Sequence, residues 1–214
     1  PGAQEETMTD TPTLAEFEDA AHTLRGIITR TPLDESLHLT ELLGVPVNLK
    51  LENLQRTGSF KIRGASYRLS RLTEEQRKRG VVAASAGNHA QGVALAAKQL
   101  GIAATIFMPL GVPVPKLLAT RGYGAEVILE GATVETPLRL AAEFAERTGA
   151  ILIHPFDHRD IVVGQGTATS PTSGCTRCRQ LIFIIIHDSA AGRKCATKAW
   201  RCIRELRLLA CRRR

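Results

Sequence analysis

Residues 57–64 read TGSFKIRG, with Lys61 set between Gly58 and Gly64 where the pattern begins a helix. A helix N-terminus carries partial positive charge and disfavours a second cation there. Partial burial of an amine acts in the same direction. A lysine kept neutral can condense with a carbonyl carbon to form a Schiff base. The competing reading is a surface lysine that opens an ordinary amphipathic helix.

Residues 85–92, SAGNHAQG, form a second candidate at a strand-to-helix junction. Free backbone N–H groups converge at such a junction and favour an anion. Gly87 lets the backbone approach closely, Ser85 and Asn88 add polar side chains, and His89 is a further donor. A small-residue turn with Asn88 as N-cap reads the same letters more plainly, because Gly-rich turns match many patterns.

The elements that must position these residues follow from periodicity. Thr13 and Glu16 make a capping box, and Leu14, Phe17, Ala20, Ala21, Leu24 and Ile28 recur at helical spacing. SLHLTELLG is a helix stopped by Gly44, and VPVNLKLE is a strand. Ser59 is the predicted N-cap of the Lys61 helix, and Thr73 with Gln76 opens the next. From Gly80 strands and helices alternate: VVAAS, GNHAQGVALAAKQLG, IAATIFMP, PKLLATRGYG, AEVILE, ETPLRLAAEFAERTG and AILIH. That alternation across short turns predicts parallel sheet covered by helices.

Charge divides the chain. Residues 1–168 hold 17 Lys or Arg against 19 Asp or Glu, and residues 169–214 hold 11 against 2. All five cysteines (Cys175, Cys178, Cys195, Cys202 and Cys211) lie in the second part. The first part is a mildly acidic, cysteine-free body of cytoplasmic character. No run of apolar residues is long enough for a transmembrane helix, and PGAQEETMTD lacks the pattern of a secretory signal. Met8 is read as the start, preceded by Pro1–Thr7.

LENLQRTGSFKIRGA together with SAGNHAQG resembles the threonine dehydratase (threonine ammonia-lyase) and serine racemase family of pyridoxal-phosphate enzymes. GYGAEVIL and GQGTA at 164–168 agree, so the resemblance covers about residues 12–168. Cysteine and threonine synthases usually carry an aspartate where this chain has Ile62, which points to the dehydratase side. The implied architecture is the α/β, type II (tryptophan synthase β-like) fold with an incomplete large domain. Residues 1–11 would be an extension, 12–79 the first part of the large domain, 80–152 the small domain and 153–168 the return.

The resemblance also implies roles. Lys61 matches the lysine that forms the Schiff base with the cofactor aldehyde and then takes the substrate's α-proton. Phe60 matches the residue packed beside the cofactor ring, and Asn88 the partner of its phenolic oxygen. Ser85, Gly87, Asn88 and His89 match the loop that grips the substrate carboxylate. Ala86 stands where serine racemases keep a second serine, which favours elimination over racemisation. The implied reaction is deamination of L-threonine, or L-serine, with pyridoxal 5'-phosphate, in isoleucine biosynthesis or threonine catabolism. The implied setting is a cytoplasmic homo-oligomer acting on a small amino acid, with no membrane. The family's pyridine-nitrogen partner and cation site find no match in this chain, so no resident metal is expected.

Residues 169–214 depart from that pattern. Gly174 and Gly192 are isolated, so no Gly-rich phosphate loop is present there. Excess Arg and Cys, and a single apolar run (LIFIII), read as a substituted or out-of-frame end that supplies no further strand of the large domain. On that reading the chain is a catalytically impaired fragment. Two other readings treat the end as a binding module. Cys175, Cys178, His187 and Cys195 could bind zinc, and the Arg-rich end, which could form a basic helix over WRCIRELRLLA, could bind nucleic acid. The cysteine spacing is loose and the end lacks interleaved aromatics, so neither partner is expected.

Overall fold

In the computed structural model, residues 11–168 are described, together with the backbone of 182–185. In chain order the elements are α1 (Leu14–Thr23), β1 (Leu33–Glu35), α2 (Leu37–Leu43), β2 (Val47–Lys50) and a 3-10 turn (Glu52–Leu54). There follow α3 (Lys61–Ser70), α4 (Glu74–Arg79), β3 (Val81–Ala84), α5 (Asn88–Leu100), β4 (Ala104–Met108) and α6 (Val114–Gly122). The last are β5 (Glu126–Leu129), α7 (Glu135–Thr148), β6 (Ile151–Leu152), α8 (Arg159–Gly166) and β7 (Ile182–Ile185).

Two sheets result. One is four-stranded and parallel, in the order β5-β4-β3-β6. Alternation along β3 divides its core: Val81 and Ala83 join one cluster, Val82 and Ala84 the other. The first cluster takes in α5 and the apolar side of α3, and the second packs on α7, where Phe107 meets Phe144 edge-on at 5.8 Å.

The other sheet has the order β1-β2-β7, with β1 antiparallel and β7 parallel to β2. Here one expectation is corrected. Residues 169–214 do contribute a strand, since Val47–Lys50 pairs in register with Ile182–Ile185. A run of β-branched residues has the composition of a buried strand, whatever the character of its surroundings. The remaining readings of that end, with Cys175, Cys178, His187, Cys195 and the basic helix, lie outside the described residues, as does Met8. Among the described residues no helix is long and apolar enough to cross a membrane.

Helix α3 lies deep, with eight of its ten residues buried. Glycines on its neighbours allow this. A Cβ at Gly92 of α5 would stand 3.1 Å from the Lys61 carbonyl carbon. On the other side, a Cβ at Gly164 of α8 would stand 2.8 Å from the Arg63 carbonyl oxygen and from Gly64 Cα. A Cβ at Gly166 would strike the Phe17 ring of α1. The Arg68–Asp160 pair at 3.2 Å ties α3 to α8, and the Arg159–Glu16 pair at 2.6 Å ties α8 to α1. The second pair, through its hydrogen bonds, holds the Glu16 carboxyl down at about 2.

Alanine is favoured over glycine inside a helix by about 1 kcal/mol, whereas overpacking costs about 1–3 kcal/mol. The clash at Gly164 involves backbone atoms that cannot swing aside, so it wins. Gly164→Ala should therefore lower the unfolding free energy by about 1–2 kcal/mol in urea titration. Gly111→Ala, at a position with nothing within 4 Å, should stay within about 0.5 kcal/mol of the parent.

Candidate active site

Strand β3 has β4 on one side and β6 on the other, so the order in which strands are added to the sheet reverses there. In open α/β sheets such a switch point leaves a crevice outside the carboxyl ends of the strands. The turn at 85–87 follows β3, and the loop at 153–158 follows β6. The N-terminus of α3 brings Lys61 to that loop.

Lys61 is the first residue of α3 and is 8% exposed. Its backbone N–H donates to Ser59 Oγ at 3.4 Å, although the cap position itself is Phe60, one residue later than the sequence suggests. Lys61 Nζ donates to the Pro155 carbonyl oxygen at 2.8 Å and stands 5.5 Å from the centre of the buried Phe60 ring. The Pro155 turn is fixed by histidines acting as acceptors. His154 Nδ1 accepts from the N–H of Asp157 at 2.6 Å, and His158 Nδ1 accepts from the N–H of Asp160 at 3.1 Å.

Across the crevice, Ser85 Oγ accepts from the N–H of Gly87 at 3.1 Å. Gly87 is the cap of α5, and Asn88, predicted to cap it, is its first helical residue. Asn88 Oδ1 accepts from Lys116 Nζ of α6 at 2.9 Å. That ammonium also lies 3.5 Å from where a Cβ on Gly87 would be, so it sits over the turn. His89 is buried, and its Nε2 lies 2.9 Å from the Ile153 carbonyl oxygen. A carbonyl only accepts, so Nε2 carries the proton and Nδ1 keeps a lone pair. Among the described residues that Nδ1 has no hydrogen-bond partner. Burial first, and then the Lys61 charge, push the His89 pKa down to about 3.

The structure thus gathers Phe60, Lys61 and His89 about the β6 loop, and Ser85, Gly87 and Asn88 in one turn under Lys116. Sequence reading missed Lys116 and the Pro155 carbonyl. The first lies 28 residues from its partner with no spacing signature, and the second is a backbone group that no motif marks.

Residues 24–170 match the family described as pyridoxal-phosphate dependent enzymes. The chain belongs to that family. It is 52% identical over 155 residues to the L-threonine ammonia-lyase of Thermotoga maritima, covering 72% of this chain and 39% of that protein. It is 49% identical over 155 residues to a catabolic L-threonine dehydratase of Staphylococcus aureus, covering 72% of this chain and 45% of that one. Among solved structures, the serine racemase of Dictyostelium discoideum superposes with a TM-score of 0.68 at 38% identity, over 74% of this chain and 52% of that one. A threonine deaminase of Solanum lycopersicum, the processed form of isoform 2, gives 0.67 at 36% identity, over 78% and 48%. The chain therefore spans less than half the length of the two curated relatives. The type II α/β fold expected from the sequence is the fold of this family.

The residues at the crevice fit the aldehyde end of pyridoxal phosphate. A primary amine held by one backbone carbonyl can be released to a carbon electrophile, with an aromatic ring beside it. The buried Nδ1 of His89, without a partner among the described residues, is an acceptor that a bound group's donor could meet. The described residues contain no run of glycines resembling the phosphate loop of the family, so the fit concerns the aldehyde end alone.

Because folded His89 protonates near 3 and an unfolded histidine near 6.5, the unfolded chain binds the extra proton between those values. Stability from this group is complete above 6.5 and falls as pH drops, by up to about 1.4 kcal/mol per unit. His89→Gln should flatten that slope in urea titrations across pH 4–6.5, whereas equal slopes in both proteins would contradict the assignment.

Proposed function

We propose that the chain carries the lysine-bearing part of a pyridoxal-phosphate dependent L-threonine ammonia-lyase, with L-serine as a second substrate. The observation that carries this is Lys61 Nζ, held at 2.8 Å by the Pro155 carbonyl at the switch-point crevice. The two curated relatives named above, at 52% and 49% identity, support the substrate. On this reading threonine loses water across its Cα–Cβ bond, and one water then hydrolyses the resulting enamine to release ammonia and leave 2-oxobutanoate; serine gives pyruvate by the same steps.

The cofactor would supply an aldehyde that links amines and a ring that draws electrons from the substrate's α-carbon. Lys61 Nζ would engage that aldehyde and, once released, accept the α-proton. The Phe60 ring would wall the site. Asn88 would donate its amide N–H to the cofactor's phenolic oxygen, because its Oδ1 is already engaged by Lys116. The backbone of Ser85, Gly87, Asn88 and His89 would hold the substrate carboxylate where N–H groups converge. Ala86 offers no proton donor for the opposite face, which favours elimination over racemisation. The same reading divides the chain into a large-domain part at 12–79 and 153–168 and a small domain at 80–152. It also makes the enzyme a cytoplasmic homo-oligomer, serving isoleucine biosynthesis or threonine catabolism.

Borohydride reduction of the chain with pyridoxal phosphate should leave the cofactor's mass on the peptide containing Lys61. Lys61→Ala should carry none there. Label spread evenly over Lys78, Lys98 and Lys116, with none on Lys61, would contradict the proposal.

A further inference from the structure

On another side of α3, between the end of α1 and β2, lies a cavity of about 410 Å³ that Lys61 does not line. Among the described residues that line it, four are cationic (Arg25, Arg30, Lys50 and Arg63) and none is acidic. Lys50 and Arg63 are only 2% and 4% exposed.

The charges inside do not balance. Arg63 grips Glu52 with two hydrogen bonds, Nε to Oε2 and Nη2 to Oε1, each 2.8 Å. The fully buried Glu52 carboxylate is thereby committed to the guanidinium, and it also accepts from Thr31 Oγ1. Lys50 Nζ donates to the Thr31 carbonyl oxygen at 2.7 Å, an acceptor without net charge. Among the described residues no carboxylate forms an ion pair with Lys50. Among the described residues two buried cations thus face one buried anion, with Arg25 and Arg30 exposed at the rim.

A buried charge is normally paired, because isolation from water costs several kcal/mol per ion. Here burial first, and then repulsion from Arg63, hold the Lys50 ammonium below the usual lysine range, with Glu52 opposing them. An oxyanion would supply the missing negative charge and several acceptors. The rim arginines would draw it in.

We propose that this cavity is a binding site for a phosphate-class oxyanion, held by Lys50 and Arg63 and steered by Arg30, separate from the Lys61 crevice. Ala21, Leu24 and Ile28 give the cavity an apolar wall, so the oxyanion can be free phosphate or one borne on a small organic body.

The test is calorimetric titration of the full chain with inorganic phosphate, and in a second arm with glycerol phosphate, at constant ionic strength in chloride. Both the parent and Lys61→Ala should bind phosphate equally, which separates this site from the lyase proposal. Lys50→Met should weaken binding by about tenfold or more, as expected for loss of one hydrogen bond between charged groups. Arg30→Ala, an exposed change that leaves the interior intact, should weaken it about two- to fivefold, and it decides the matter if Lys50→Met does not fold. Tighter binding of glycerol phosphate assigns the apolar wall to the ligand's body, and equal binding assigns the site to the free oxyanion. Absence of phosphate binding below about 10 mM, undiminished binding in Arg30→Ala, or loss of binding in Lys61→Ala overturns the proposal.

Discussion

The close approach of backbones around α3 is the constraint on which the rest depends. Gly92 brings α5 against the Lys61 carbonyl on one side, and Gly164 brings α8 against Arg63 and Gly64 on the other. A helix held this way cannot rotate or slide without forcing atoms inside contact distance. Its first residue is therefore fixed, and so is the direction of the Lys61 side chain. The Pro155 carbonyl is fixed in turn by the loop leading into α8, whose start is tied to α1 through Arg159 and Glu16. One packing arrangement thus aligns the amine, its acceptor and the two strand ends at the crevice.

Electrostatics then distinguishes the two flanks of that helix. On the crevice side, His89 is kept neutral by burial and by the nearby Lys61 charge. Lys116 is the cation that sits over the turn. On the other flank, Glu52 neutralises Arg63 but not Lys50 as well. Residues two apart on α3, Lys61 and Arg63, thereby serve separate environments: one faces the crevice at the β6 loop, the other a cationic cavity.

Much of this was legible in the sequence where local rules act alone. The capping box at Thr73 and Gln76 closes as read, and α5 ends at Gly101 with φ 66°. The strand and helix alternation from Gly80 is as the periodicity indicates. Other elements obey tertiary rules. Helix α8, RDIVVGQG, has two glycines that argue against a helix, yet those glycines are what let it pack. Strand β1 has three residues, too few for a period to show. The strand at 182–185 was hidden by its basic, cysteine-bearing context. The cationic cavity draws Arg25, Arg30, Lys50 and Arg63 from separate segments, so no motif could announce it.

Native-state hydrogen exchange, read by mass spectrometry over peptides covering α3, tests the central claim most directly. If α3 is clamped on both sides, its amides from Gly64 to Leu69 should open only with global unfolding and be among the slowest in the chain. They should also exchange more slowly than those of α7, which buries only Pro137 and Ala141. Exchange in α3 as fast as in α7 would show that the glycine contacts do not hold the helix, and the account of how Lys61 is positioned would fail.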